Sequence, residues 1–258
     1  MSGEGIDTLP LPLLPSLRGG EADEAIRGPV RAAPGLLRCA RNDGIENLDR
    51  VSLARPFQPH DLLRIDQSAV AELTRDRPGW ATASLAAVPW VVVRRAMACD
   101  GLLPVGLRGH GRSERCAAWL PPAAVVECRT PEDLAAARAW RRSGIPALAA
   151  LDAVAALLAG WSWGPAGSVG FELATGHPTA HPESDLDIVL RAPCRMRPDE
   201  ADHLLAALAP LPVRVDVAVE APLGACSLAE IAAGGVIVVK TPTGPRLVRD
   251  PWAEPAAA

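Results

Sequence analysis

The sequence has no tyrosine, two phenylalanines and a single lysine, Lys240, although it is 258 residues long. Lysine and arginine together number 26 against 30 acidic residues, which gives a formal net charge of -4. A chain with this balance has no broad basic surface, and this excludes binding of a nucleic acid polymer through its phosphate backbone. We therefore expect any phosphate group to be bound locally, by a few arginines.

Cysteine is also sparse, with six residues and no two of them in a C-x-x-C pair. This spacing excludes the common zinc motifs and a small disulfide scaffold. No apolar run reaches the roughly 18 residues that a membrane span needs, and the first residues lack the order of a signal peptide. We expect a cytoplasmic protein with reduced thiols and no membrane partner.

Composition divides the chain into three segments. Residues 1–52 hold five prolines, seven glycines and no aromatic residue, so we expect a disordered extension or a start codon assigned too early. On the second reading, translation begins near Val51 or Leu53. Residues 53–143 are predicted to form an amino-terminal α/β domain, and residues 144–258 a catalytic domain.

The middle segment contains three β-rich runs, broken by glycine and proline: WVVVRRA, LLPVGLR and AAVVECR. A helix follows, because Thr130 suits the N-cap, Pro131 the first helical position and Asp133 the capping box. Gly144 is predicted to end that helix. The last segment alternates helix and strand, so the fold class is predicted as α/β (α+β), with a mixed sheet and flanking helices.

Two acidic strands carry the candidate chemistry. Side chains alternate along a strand, so Asp185 and Asp187 share one face of DLDIVLR, and its leucines and isoleucine take the other. The same alternation in VRVDVAVE places Asp216 opposite a row of valines. Asp216 joins the first pair if the two strands are neighbours. Three converging carboxylates repel one another and need a cation, and oxygen ligands favour Mg²⁺ or Mn²⁺.

A glycine-rich turn precedes the acidic strand. In WGPAGSVGF, Gly167 lets the backbone approach a ligand, Ser168 offers a hydroxyl, and the following FELATG is predicted to begin a helix. Acids and turn together can serve phosphoryl transfer.

Basic side chains could complete this site. Arg108 and Arg112, with Arg115, lie in LRGHGRSERCAAW, where arginines beside glycines could bind phosphates or form an ordinary charged turn. Lys240 closes an apolar strand and either reaches a triphosphate or faces solvent. Arg191 has the same two alternatives, a contact with the triphosphate or a position facing solvent.

Other polar residues support weaker readings. Glu220 ends its strand and either joins the catalytic acids or faces water. His177 and His181 are four residues apart, but prolines break their loop, so we expect a loop over the site and no metal pair. His60 is expected to be structural.

The order of Gly167, Ser168, Asp185, Asp187 and Asp216 resembles the polymerase-β-like nucleotidyltransferase superfamily. Within it, the chain resembles the phosphoribosyl-dephospho-CoA transferases of malonate decarboxylase over most of residues 56–252. The strings that carry this resemblance are PHDLL, WVVVRRA, PVGLRG, RCAAWLPP, GSVGFELATG, SDLDIVLR and VDVAVEAP.

The resemblance implies a holo-acyl-carrier-protein synthase. Such an enzyme transfers a prosthetic group from 2′-(5″-triphosphoribosyl)-3′-dephospho-CoA to a serine of the apo acyl-carrier subunit and releases pyrophosphate. Asp185 and Asp187 would bind metal and activate the serine, Asp216 would complete the metal site, and Gly167 with Ser168 would hold the outgoing phosphates.

Two alternatives stay open. A nucleotidyltransferase acting on another small molecule or protein would use the same carboxylates. A catalytically silent module would keep the fold to bind a nucleotide or carrier protein, although such a module has no need for mutually repelling acids.

Overall fold

The computed structural model of the chain describes residues 55–109, 111, 113–140 and 144–253. The predicted extension over residues 1–52 lies outside these ranges, and so does Arg112. The described residues contain two β-sheets with helices packed against them, as the α/β (α+β) fold class requires. The predicted division of the chain at residue 143 stays a prediction.

The first sheet has five antiparallel strands in the order β4-β3-β2-β1-β5. The strands are β1 Leu62–Ile65, β2 Trp90–Val93, β3 Leu103–Arg108, β4 Arg115–Leu120 and β5 Val125–Arg129. Two helices, α1 Gln67–Thr74 and α2 Gly79–Ala87, connect β1 to β2 and share an apolar core with the sheet. The three β-rich runs of the sequence are confirmed as β2, β3 and β5.

The second sheet has six strands in the order β11-β10-β9-β8-β7-β6. The strands are β6 Ser162–Pro165, β7 Leu186–Arg191, β8 Val215–Ala221, β9 Gly224–Ser227, β10 Ile237–Thr241 and β11 Gly244–Val248. The accompanying helices are α3 Pro131–Ala137, α4 Pro146–Ala149, α5 Leu151–Leu157, α6 Gly167–Thr175, α7 Pro198–Leu208 and α8 Leu228–Ala233. Strands β7 and β8 are parallel and their neighbours antiparallel, which confirms the predicted mixed sheet.

Alternation along β7 and β8 divides the second sheet into two faces. Leu186, Ile188 and Leu190 are at most 1% exposed and pack in one core with Val217 and Val219. Burial of these side chains holds the sheet against its helices, at roughly 25 cal/mol per Å² of apolar surface. The opposite face is therefore free to carry carboxylates.

Helix α3 begins as predicted and ends earlier than predicted. The Thr130 side chain accepts a hydrogen bond from the amide of Asp133, and the Asp133 carboxylate accepts one from the amide of Thr130. The helix ends at Ala137 because Arg138 adopts a left-handed conformation, with φ at 46°. The prediction that Gly144 ends it is wrong.

The two sheets meet closely where α3 begins beside β6. A Cβ on Gly164 would lie 1.8 Å from the carbonyl oxygen of Pro131, so only glycine allows this approach. Next to it, Arg191 donates to Glu132 at 2.8 Å and lies 3.9 Å from the fully buried Asp61. Arg191 thus joins the sheets, which is a role other than the triphosphate contact considered from the sequence.

None of the helices in the described ranges combines the length and apolarity that crossing a membrane requires.

We expect Gly164→Ala to lower the free energy of unfolding by about 2 kcal/mol or more, because the added methyl group overpacks the junction. Urea unfolding followed by circular dichroism measures this change. The matched control is Gly144→Ala, where a Cβ meets no atom within 4 Å. Equal stability of the two variants would show that the junction relaxes without cost.

Candidate functional site

The predicted acids meet at the parallel pair of strands. Asp187 of β7 and Asp216 of β8 are direct partners in the strand register. Asp185 lies immediately before β7, two residues from Asp187. The expectation that the two acidic strands are neighbours is confirmed, and all three carboxylates lie at one end of the pair.

Burial and like charge act on Asp187. Burial raises the pKa of Asp187 above its usual value, and the negative charges of Asp216 and Asp185 raise it further. The nearby His60 and the positive charge of Arg108 oppose this shift. Ionising a carboxylate in this position costs free energy, and a cation bound beside it removes that cost.

The carboxylates do not enclose a cation as they stand. Within the ranges that the structure describes, no three His, Cys, Asp or Glu side chains are arranged to hold a metal ion. The carboxylate of Asp216 instead accepts a hydrogen bond from Arg214 at 2.9 Å, and both side chains are substantially exposed. Because exposed ion pairs contribute little stability, this pair is easily exchanged for another cation. The oxygen donors suit Mg²⁺, so the metal set Asp185, Asp187 and Asp216 stays a prediction.

The glycine-rich turn lies against Asp187. Gly167 has φ at +57°, and a Cβ there would fall 1.8 Å from Oδ2 of Asp187. The amide of Ala166 also donates to the backbone oxygen of Asp187 at 2.8 Å. Helix α6 begins at Gly167, four residues before the predicted FELATG start, so its first turn adjoins the carboxylates. The next residue, Ser168, does not line the cavity described below.

A cavity of about 960 Å³ separates the two sheets at this point. The second sheet and its turn contribute Gly167, Asp187, Asp216 and Lys240 to its wall. The first sheet contributes three arginines, which are Arg94, Arg108 and Arg115. The structure therefore brings Arg108 and Lys240 to the predicted carboxylates, and the cavity has an acidic wall facing a basic one.

Arg108 is the partly buried arginine of the basic wall, while Arg94 and Arg115 are exposed. Burial lowers the pKa of Arg108 below its usual value, and the nearby charge of Arg115 lowers it further, while Asp187 opposes the shift. An arginine with these neighbours stays charged at neutral pH. Two adjacent positive charges repel each other, and an anion bound beside them would relieve that repulsion.

Sequence reasoning missed the contribution of His60. This residue was expected to be structural, but its side chain lines the cavity. Its φ is 76°, a conformation that residues other than glycine adopt rarely. Nε2 of His60 lies 3.5 Å from Oε1 of Glu220, so the imidazole is held across the junction between the sheets.

Glu220 is buried, and does not face water as one reading of the sequence proposed. Burial raises its pKa, but hydrogen bonds from His60 and Arg95 outweigh burial and hold the pKa below its usual range. Glu220 is thus ionised, and it connects the second sheet to the first. The available signal was the alternation along β8, which puts Glu220 on the same face as Asp216.

One cysteine of the cavity, Cys226, is held as an unreactive thiol. Burial raises the pKa of Cys226, which lines the cavity, to about 12, and it does the same for Cys128. A thiol with such a pKa is protonated at neutral pH and is a poor nucleophile. The described cysteines are free, in line with the expected reduced thiols.

The loop that carries His177 and His181 is fixed by hydrogen bonds. Oε2 of Glu172 accepts from the amides of Thr179 and Ala180 at 2.9 and 2.8 Å. His177 lines a small pocket that adjoins Arg108 and Phe171. The loop is therefore a neighbour of the cavity, in agreement with the expected position.

Comparison with known proteins gives consistent matches along the described chain. Residues 58–131 match the family model of the phosphoribosyl-dephospho-CoA transferase MdcG N-terminal domain, and residues 133–251 match that of the C-terminal domain. The phosphoribosyl-dephospho-CoA transferase of Pseudomonas putida is 44% identical over 199 residues, which cover 76% of this chain and 95% of that protein.

Two further relatives carry the same name. The protein of Azotobacter vinelandii is 42% identical over 214 residues, covering 78% of this chain and 96% of the relative. The protein of Klebsiella pneumoniae is 37% identical over 198 residues, covering 76% and 96%. No solved structure gives a significant match.

We expect Asp187→Asn to stabilise the metal-free protein near neutral pH. The pKa of Asp187 is higher in the folded than in the unfolded state, so its ionisation costs stability above the folded pKa. That cost disappears below the unfolded pKa of about 3.9, where both states are protonated. Urea unfolding with EDTA at neutral pH and near pH 3 should show a gain that shrinks with acidification.

The matched control is Asp202→Asn, an exposed carboxylate on α7. This variant should unfold like the wild type at both pH values. A loss of stability in Asp187→Asn at neutral pH would show that the carboxylate is stabilised where it lies.

Proposed function

The chain belongs to the phosphoribosyl-dephospho-CoA transferase family, and we propose that its acceptor is a serine of the apo acyl-carrier subunit of malonate decarboxylase. The donor would be 2′-(5″-triphosphoribosyl)-3′-dephospho-CoA, and pyrophosphate would be released. The observation that carries the proposal is one cavity in which Asp187 and Asp216, paired in register, face Arg94, Arg108 and Arg115. The proposed reaction takes place between the donor and a carrier protein in solution, which is consistent with the expected cytoplasmic location.

The basic wall suits the triphosphate of the donor. Guanidinium groups bind phosphate oxygens through paired, charge-assisted hydrogen bonds. Arg108 and Arg115 lie close enough for each to affect the other electrostatically, and a polyphosphate between them would relieve that repulsion. Lys240 adds a positive charge on the opposite wall. Roles for Ser168, and for Arg112 outside the described residues, stay predictions of the sequence.

The acidic wall suits the reacting end. Asp185, Asp187 and Asp216 would hold Mg²⁺ or Mn²⁺, which supplies positive charge to the phosphate oxygens and favours the alkoxide form of an attacking hydroxyl. The serine hydroxyl would transfer its proton to the carboxylate of Asp185 or Asp187, and its oxygen would bond to the α-phosphorus. The bond from that phosphorus to the bridging oxygen breaks, and the electron pair leaves with pyrophosphate.

The junction between the two sheets holds groups of the site in fixed positions for this step. Glu220 holds His60 at the cavity wall, and Gly167 lets the turn approach Asp187 without a side chain between them. Groups fixed before the substrate arrives need no reorganisation during the reaction.

We expect the purified protein, Mg²⁺, the donor and the apo carrier subunit to yield a carrier whose mass increases by the transferred group. Mass spectrometry of the carrier measures the product. Asp185→Asn and Asp187→Asn should abolish the gain, whereas Asp202→Asn should retain it. An unchanged carrier together with modification of a different acceptor would favour the alternative nucleotidyltransferase, and activity in Asp187→Asn would place the chemistry elsewhere.

We expect Gly167→Ala to lose at least about 100-fold in transfer rate, because a displaced catalytic group commonly costs this much. The methyl group would occupy the position of the Asp187 carboxylate. Gly176→Ala is the matched control, since Gly176 also has positive φ, at +71°, but a Cβ there meets no atom within 4 Å. Similar rates in the two variants would assign the effect to backbone strain alone.

A further inference from the structure

An exposed apolar surface lies on the hairpin formed by β10 and β11. Three large apolar side chains, Val236, Val238 and Leu247, are 53%, 37% and 73% exposed. Val238 and Leu247 are cross-strand partners and so share one face of the hairpin. Val236, which is also exposed, lies in the bend just before β10. We call these three residues the hairpin ledge.

The other face of the hairpin explains why it stays in place. Ile237 and Val239 are 4% and 0% exposed and belong to the core that the helices cover. The hairpin is thus anchored from behind while its front is open to solvent. Strand β11 is also the last strand of its sheet, and a flat apolar edge is a surface that proteins normally protect or use.

Along the chain, the hairpin itself carries charge of one sign. Residues 231–249 contain Lys240, Arg246 and Arg249 and no acidic residue, in a chain whose net charge is -4. None of these three side chains forms an ion pair within the described ranges. An apolar centre with unpaired cations around it complements a partner with apolar side chains and acidic neighbours.

The acids at either end of this stretch are already engaged. Glu230 accepts a hydrogen bond from the amide of Val238 at 3.3 Å, and the carboxylate of Asp250 pairs with Arg195. Hydrogen bonds from neutral amides leave Glu230 its negative charge at the cavity end of the hairpin, which it shares with Lys240. Arg249, which follows Leu247 by two residues, is therefore the cation most available to a partner.

The hairpin ledge continues into the cavity. Val238 and Lys240 line the cavity that holds Asp187 and Asp216, whereas Leu247 lies on the neighbouring strand outside that lining. A protein seated on the ledge could therefore present a side chain to the carboxylates. A small donor bound only within the cavity would leave Leu247 uncovered.

We propose that the hairpin ledge is the docking surface for the acceptor protein, which binds it through an acidic surface bearing apolar side chains. This inference rests on the proposed function, because it requires a protein acceptor. Leu247 supplies the apolar contact, and Arg249 steers the approach of the acidic partner, whereas Arg246 pairs with Val239 and so lies on the other face of the hairpin. Neither Leu247 nor Arg249 lines the cavity or takes part in the chemistry.

The test is the steady-state kinetics of Leu247→Asp with varied carrier subunit and varied donor. We expect KM for the carrier to rise about tenfold or more, as for loss of an interface anchor, with kcat and KM for the donor unchanged. Val126→Asp is the matched control, because Val126 on β5 is 44% exposed and undergoes the same change of chemistry. Leu247→Ser, which adds no charge, should give a smaller increase in the same direction.

A charge reversal provides a second measurement. Arg249→Glu should raise KM for the carrier and weaken its dependence on salt, since the cations act through screened electrostatics. A wild-type KM in both Leu247→Asp and Arg249→Glu would overturn the docking proposal. A rise in KM for the donor instead would assign the ledge to the donor. A wild-type protein that modifies no carrier would overturn the proposed function itself, which is a distinct result.

Discussion

The site depends on the parallel pairing of β7 with β8. This pairing sets Asp187 beside Asp216 in register, at a separation where like charges repel. Apolar side chains on the other face of the same strands, among them Leu186 and Val219, are buried against the helices. The free energy gained by this burial offsets the repulsion between the carboxylates. The stability of the core thus keeps the two carboxylates close together despite their mutual repulsion.

The remaining parts of the site act on that carboxylate pair. Gly167 leaves space for Asp187, and the arginines of the first sheet bring positive charge across the cavity. The raised pKa of Asp187 reflects its burial and the negative charges of Asp216 and Asp185 beside it. Functional sites often store strain of this kind, and the surrounding structure maintains it.

The two sheets form one site because charged groups join them. Glu220 continues the face of Asp216 and binds His60 and Arg95 of the amino-terminal half, while Arg191 lies 3.9 Å from the buried Asp61. These contacts are largely buried, where removal of one partner leaves an uncompensated charge. The geometry of the cavity is accordingly linked to the contacts between the sheets, and family membership of both halves agrees with a single functional unit.

The sequence alone determined the features that depend on local periodicity. Alternation identified the two faces of β7 and β8, the capping box fixed the start of α3, and the order of Gly167, Asp185, Asp187 and Asp216 indicated the site. Tertiary structure decided which distant residues reach the carboxylates. His60 lies just before β1 and Arg94 just after β2, and the order of these strands in the first sheet brings both residues to the cavity. Their roles depend on contacts between residues far apart in the chain, and such contacts leave no periodic signal in the sequence.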